Sequence, residues 1–157
     1  MKLCLKESPN SLFLYHATDA NHLDSIMKKG LLKNPPGHNW EGMFLDDGVF
    51  LAFDADVAES YAESSDNAPD EIIILKVNLN DLDQSYIEYD WNNRCEYRED
   101  INSCVYNKDI PARCISVCDP SSEPSQDIFS FEGTELYENV IDTFEEEVET
   151  NMEDEEY

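Results

Sequence analysis

Ser11-Leu12-Phe13-Leu14-Tyr15-His16, followed by Ala17-Thr18, is the stretch on which the fold turns. Short, apolar and aromatic, it reads as a buried strand that ends on a polar turn. Outward from it, Thr18 or Asp19 can cap an element over Asn21 to Lys29, where Leu23, Ile26 and Met27 recur at the i, i+3, i+4 spacing of one helix face. Gly30 stops that helix as a C-terminal glycine does. Leu31 to Asp47, with Pro35-Pro36-Gly37, His38, Trp40 and Gly42, has loop composition, and loops of this length tend to be functional. Gly48-Val49-Phe50-Leu51-Ala52 is a second buried strand, after which Asp54 or Asp56 can cap a short helix through Tyr61. Glu71 to Leu79 is the strongest strand, Tyr86 to Tyr89 and Cys104 to Tyr106 are weaker ones, and Ile110-Pro111 leads into a last one, Cys114 to Cys118. A strand, helix, loop, strand, helix and then several strands predict a small α+β domain.

The 157 residues include 36 acidic and 10 basic side chains, a formal charge of −26. A phosphate-tracking surface needs clustered Lys and Arg, so direct nucleic-acid binding is not expected, nor is docking on anionic membranes. The length suits one domain with its own core. From Pro120 to Tyr157 there are 14 Asp or Glu and no Lys or Arg, which leaves 36 − 14 = 22 acidic and 10 basic residues before it. Like charge at that density favours an extended, solvated segment. The expected division is therefore a domain over 1–119 and an acidic tail over 120–157, partly disordered or a single amphipathic helix. The helical option rests on Leu136, Val140, Phe144 and Val148, which recur every four residues with Glu135 and Glu138 at the start, where the helix dipole favours anions.

Five cysteines, Cys4, Cys95, Cys104, Cys114 and Cys118, form an odd set without CxxC pairs or metal-like Cys/His spacing, as expected of reduced thiols in a cytoplasmic protein. The apolar stretch before Lys6 and Glu7 is too short for a signal peptide, and no run reaches membrane-spanning length.

No glycine-rich phosphate loop, HExxH or GxSxG motif is present. What remains is an ordered set: Leu14-Tyr15-His16-Ala17-Thr18, a helix, Lys29-Gly30-Leu31, a loop, Gly48-Val49-Phe50-Leu51-Ala52, and Tyr61-Ala62 nine residues on. The set resembles the ADP-ribosyltransferase superfamily in its His-Tyr-Glu branch. That branch includes poly(ADP-ribose) polymerases, diphtheria-toxin-like enzymes and, with altered residues, RNA 2'-phosphotransferases. The resemblance covers about residues 11 to 118 and implies a split β-sheet around a cleft for NAD, which is the substrate. It implies that His16, with Thr18 beside it, holds the adenosine-ribose 2'-hydroxyl, that main-chain groups of Ala17 clamp the nicotinamide amide, and that Tyr61 stacks on the nicotinamide ring with Phe50 in the second aromatic position. The Leu31 to Asp47 loop would cover the NAD. Strand and helix aromatics such as Phe50 and Tyr61 also serve as plain core packing.

The family's third motif is altered. A carboxylate beside the nicotinamide ribose stabilises the oxocarbenium-like charge that develops when the glycosidic bond breaks. The corresponding Glu opens the strand that runs into Ile-Pro or Val-Pro, and here Ser103 stands at that place, about eight residues before Pro111. Glu99 and Asp100, with Glu96 slightly farther, are the nearest carboxylates, although acids in such a run are commonly solvated. Glu99 and Ser103 are the expected catalytic residues. The activity implied is mono-ADP-ribosylation of a macromolecule, most simply a basic or nucleic-acid-binding protein. A second class is a catalytically inactive acidic protein on the same scaffold that binds a basic partner. Asn102-Ser103 also resembles the Asn-Gly of RNA 2'-phosphotransferases, but the body offers only Arg94, Arg98 and Arg113 for a phosphate.

Overall fold

The computed structural model describes residues 12–33, 48–64, 70–90 and 95–155, with the side chains of the last helix described through Glu146. Six strands, β1 (Phe13–Asp19), β2 (Val49–Ala52), β3 (Ile72–Asn78), β4 (Ile87–Tyr89), β5 (Ser103–Tyr106) and β6 (Ile115–Cys118), form one antiparallel sheet in the order β4-β5-β2-β1-β3-β6. Helices α1 (Leu23–Lys29), α2 (Ala55–Glu63) and α3 (Glu135–Glu155) complete an α+β architecture. None of the described helices is long and apolar enough to cross a membrane.

Local chemistry accounts for the element ends. Asp19, not Thr18, caps the turn before α1 by accepting from the Asn21 N–H at 2.9 Å, while Thr18 lies within β1 opposite Ile73. Asp54, not Asp56, caps α2. Gly30 ends α1 at φ +85°, where Leu31 pairs with Ile110; a Cβ on Gly30 would fall 2.1 Å from the Ile110 oxygen, so only glycine fits.

The side-chain alternation of the strands makes two cores. Leu14, Leu51, Leu75, Val77, Cys104, Tyr106, Ile87 and Tyr89 face one way, toward α1 and α3, and Tyr15, Ala52 and Ile74 face the other, beneath Ala55 and Ala58 of α2.

The sheet is continuous in hydrogen bonding but narrow at its centre. Strands β1 and β3 pair over seven residues, whereas β1 and β2 meet only at Tyr15 opposite Ala52. That single rung joins a β4-β5-β2 half to a β1-β3-β6 half.

No packing boundary falls at Asp119-Pro120. Ile128, Phe131, Leu136, Val140, Ile141 and Phe144 all belong to the core that lies on the sheet. The acid count misleads because charge and apolar residues alternate along α3: Glu135, Glu138, Asp142 and Glu146 are exposed, while the residues at the complementary helical spacing are buried. The helix also covers an edge. The Tyr89 N–H, at the outer side of β4, donates to Thr143 Oγ1 at 2.8 Å, and the Tyr89 and Phe144 rings meet edge to face at 5.2 Å. Gln84 tethers the helix start by accepting from the Leu136 N–H at 2.9 Å and, through its carbonyl, from Asn139 at 2.8 Å. Val148, the last residue of the apolar repeat, has a side chain outside the described set.

If α3 is integral to the core, Leu136→Ala costs about 2 to 5 kcal/mol. Urea unfolding reads this as a lower midpoint at unchanged slope. A loss below about 0.5 kcal/mol, the range of surface substitutions, would detach the helix from the core.

Candidate functional site

The parity of the ladders shows what lies at the narrow centre of the sheet. The Leu79 N–H bonds the Leu12 carbonyl and the Ala20 N–H bonds the Glu71 carbonyl, so the even residues of β1 exchange main-chain bonds with β3. The main-chain groups of Tyr15 and Ala17 therefore point toward β2. On the other side the Phe53 N–H bonds the Asn102 carbonyl, which turns odd residues of β2 toward β5 and leaves Ala52 and Phe50 facing β1. Tyr15 and Ala52 make their rung, but the next one, Ala17 with Phe50, is not formed. The strands have parted there, and the amide and carbonyl of Ala17 point into the opening.

His16 fills the parted space. Its Nδ1 lies 2.7 Å from the Phe50 carbonyl oxygen. A carbonyl only accepts, so Nδ1 carries the proton and, in the neutral ring, Nε2 is an acceptor. A ligand hydroxyl would thus donate to His16. Burial lowers the ring's pKa below its ordinary 6.5, opposed in part by the bond to Phe50, so the neutral form prevails at pH 7.

Phe50 and Tyr61 lie side by side, in a geometry that bears on any role in stacking. Their rings meet edge to face, with centroids 5.1 Å apart and planes at 82°. No flat ring fits between them, so a stacked ligand must use the outer side of Tyr61, which is 37% exposed. The Tyr61 hydroxyl donates to Asn102 Oδ1 at 3.3 Å. Tyr61 and Asn102, with Asp56, Val57, Ser60 and Ser64, line an open depression of about 350 Å³.

The two expected catalytic residues are not equivalent. Ser103 is 2% exposed and donates to Asp90 Oδ2 at 3.1 Å, and Asp90 is itself 3% exposed. Ser103 is a buried strut rather than a group that meets solvent, because it opens β5 opposite Ala52 in the middle of the sheet. Glu99 lies on a 3-10 turn over Arg98–Asp100, exposed, on a second depression of about 340 Å³ with Asp54, Gln126 and Asp127 among its lining. The two depressions share Val57 and Asn102. Arg98 pairs with Glu145, which ties the turn carrying Glu99 to α3. The Leu31 to Asp47 loop, beyond Lys33, and Arg94 lie outside the described residues.

Asn102, not Ser103, meets Tyr61, and the sequence signal for it was the Asn102-Ser103 pair at the strand start. Gln126, which reaches both halves of the sheet, was hidden in a Pro- and Ser-rich stretch with linker composition. The four described cysteines are free. Burial pushes the Cys104 thiol well up, and burial with the neighbouring Glu123 pushes Cys118 up to about 11, so neither is an activated nucleophile. Among the described residues no cluster suited to a metal ion occurs. No protein-family model matches the chain, and no curated protein matches it.

The lowered pKa of His16 has a testable consequence. A base whose folded pKa lies below its unfolded value binds protons less readily when folded. Its stabilising contribution is whole above pH 6.5 and is lost as pH falls from there through the folded pKa. Thermal midpoints measured from pH 7.5 down to 5 should fall more steeply for the wild-type chain than for His16→Gln. Parallel profiles would show that the half-buried His16 is not held neutral by the fold.

Proposed function

We propose that the chain is a NAD-dependent mono-ADP-ribosyltransferase with a split-sheet ADP-ribosyltransferase fold, acting on a protein target. The observation that carries this reading is the missing rung between Ala17 and Phe50, where His16 bonds the Phe50 carbonyl and the Phe50 ring meets Tyr61. Each group there has a counterpart on NAD. His16 Nε2 accepts from a ribose hydroxyl. The Ala17 N–H and C=O offer one donor and one acceptor, the complement of a carboxamide. The outer side of Tyr61 takes the nicotinamide ring, a contact worth about 1 to 3 kcal/mol where aromatic stacking on bases has been measured.

In the reaction the bond between ribose C1' and the nicotinamide nitrogen breaks, and its electron pair leaves with neutral nicotinamide. The positive charge that develops on the ribose is stabilised by an anion beside it. Glu99 is the residue we assign, because its depression adjoins that of Tyr61 across Val57 and Asn102. The acceptor nucleophile then bonds to C1', and its proton passes to the same carboxylate. Ser103 is left out of the chemistry and holds β5 through Asp90. A chain carrying −26 repels polyanions, so a protein acceptor, and a basic one, suits it better than nucleic acid. Arg98 is engaged with Glu145, which weighs against a phosphate-holding RNA 2'-phosphotransferase.

A second reading has its own support: the group that meets Tyr61 is the neutral amide of Asn102 rather than a carboxylate. On that reading the cleft binds without cleaving, and the acidic chain engages a basic partner.

One experiment separates the two readings. With NAD labelled in its adenylate part and in its nicotinamide part, the wild-type chain should release nicotinamide and label a basic protein. Glu99→Gln should keep NAD affinity and lose at least about 100-fold in transfer, the scale of removing charge stabilisation from a transition state. NAD bound without release of nicotinamide would favour the second reading, and no NAD binding at all would end both uses of the cleft.

A further inference from the structure

We propose that Gln126 is a positioning residue for the Tyr61 side of the opening, acting as a clamp between the two half-sheets. For its ligand-binding arm the inference rests on the NAD reading above; its structural arm does not.

The two carbonyls that Gln126 reaches belong to different halves of the sheet. Its Nε2 donates to the Phe13 oxygen of β1 at 3.2 Å and to the oxygen of Phe53, just after β2, at 2.8 Å. His16 and Gln126 thus join the halves on opposite sides of the Tyr15–Ala52 rung: His16 toward the end of β1, Gln126 toward its start. The main-chain N–H of Gln126 adds a third bond, to Asp54 Oδ1 at 3.1 Å. The other carboxylate oxygen of Asp54 caps α2 through the Asp56 N–H at 3.3 Å.

Both members of the Tyr61–Asn102 contact are built on this Phe53-Asp54 dipeptide. Tyr61 sits on α2, whose first turn begins at the Asp54 cap, with the Ala58 N–H on the Asp54 carbonyl at 3.2 Å. Asn102 is fixed by its own carbonyl, which accepts from the Phe53 N–H at 3.1 Å. One glutamine therefore sets the dipeptide from which both sides of the contact extend.

Gln126 is in turn delivered by a pinned segment. Glu123 accepts from the buried Tyr15 hydroxyl at 2.7 Å and pairs with Lys76 of β3 at 3.0 Å, and Asp127 caps the turn Ile128–Phe131 that enters the core. Burial and the bond to Glu123 push the Tyr15 pKa well up, so the hydroxyl stays a donor at all ordinary pH.

Gln126→Glu tests the clamp. It keeps the size of the side chain but puts carboxylate oxygens against two carbonyls. The Tyr61 ring and Asn102 amide resonances should shift in side-chain NMR spectra, and unchanged resonances would overturn the proposal. NAD affinity should fall about tenfold, the scale of one or two lost hydrogen bonds, while ADP-ribose, which lacks the ring that Tyr61 stacks on, binds as before. Equal weakening of both ligands would show a merely structural role and overturn the positioning claim. If the wild-type chain binds neither ligand, the NAD reading fails and the resonance shifts decide the clamp on their own. Should the variant not fold, native-state hydrogen exchange of the wild-type chain replaces it. The Gln126 and Ala58 amides should then open together, and exchange of Gln126 with Ala58 still protected would overturn the proposal.

Discussion

The bond from His16 to the Phe50 carbonyl is the interaction on which the centre of the molecule depends. Two strands that part after one rung leave main-chain groups facing each other across a gap, and buried main-chain groups are rarely tolerated without partners. The imidazole bridges the gap on one side and the Gln126 amide on the other. A sheet stitched in this way holds its halves apart at a set distance. At its centre it therefore has a break in the ladder bridged by side chains instead of a continuous run of main-chain bonds.

The chain after Asp119 is what allows such a narrow junction to persist. Its first part ties β1, β3 and the start of α2 together through Glu123 and Gln126, and its last part covers the outer edge of β4. The Arg98–Glu145 pair extends this support to the turn that bears Glu99. Exposed ion pairs of this kind contribute little to stability, so its consequence is where the turn sits rather than how firmly the protein folds.

Much of the fold is legible in short-range pattern, because alternation, helical spacing and caps are local properties. The strand at Phe13, the helix stop at Gly30, the strand at Val49 and the apolar repeat from Leu136 to Phe144 each announce themselves within a few residues. The placement of His16 beside Phe50, and of Phe50 beside Tyr61, follows once those elements form an antiparallel sheet. What lies beyond such reading is non-local. That Ser103 turns inward to Asp90 while Asn102 meets Tyr61 depends on the face of β5 that the sheet buries. Gln126 finds its partners about 70 and 110 residues back along the chain, a separation at which loop entropy, not local pattern, governs contact. Charge also disguised the last helix, since acidic residues dominate its composition while its buried spacing decides where it packs.

The covering of β4 by α3 has a consequence for how the protein is made. Strand β4 ends at Tyr89, and the residues that satisfy and shield it, Thr143 and Phe144, come more than fifty positions later. A chain growing on the ribosome can pair β1 with β3 early, yet the Tyr89 N–H and the apolar side of β4 stay uncovered until that late segment emerges. Nascent chains in that interval carry an open strand edge of the kind that recruits wrong partners. The acidic residues of the exposed helix face flank these two in the chain, so the segment that closes the edge also brings the charge that keeps neighbouring copies apart.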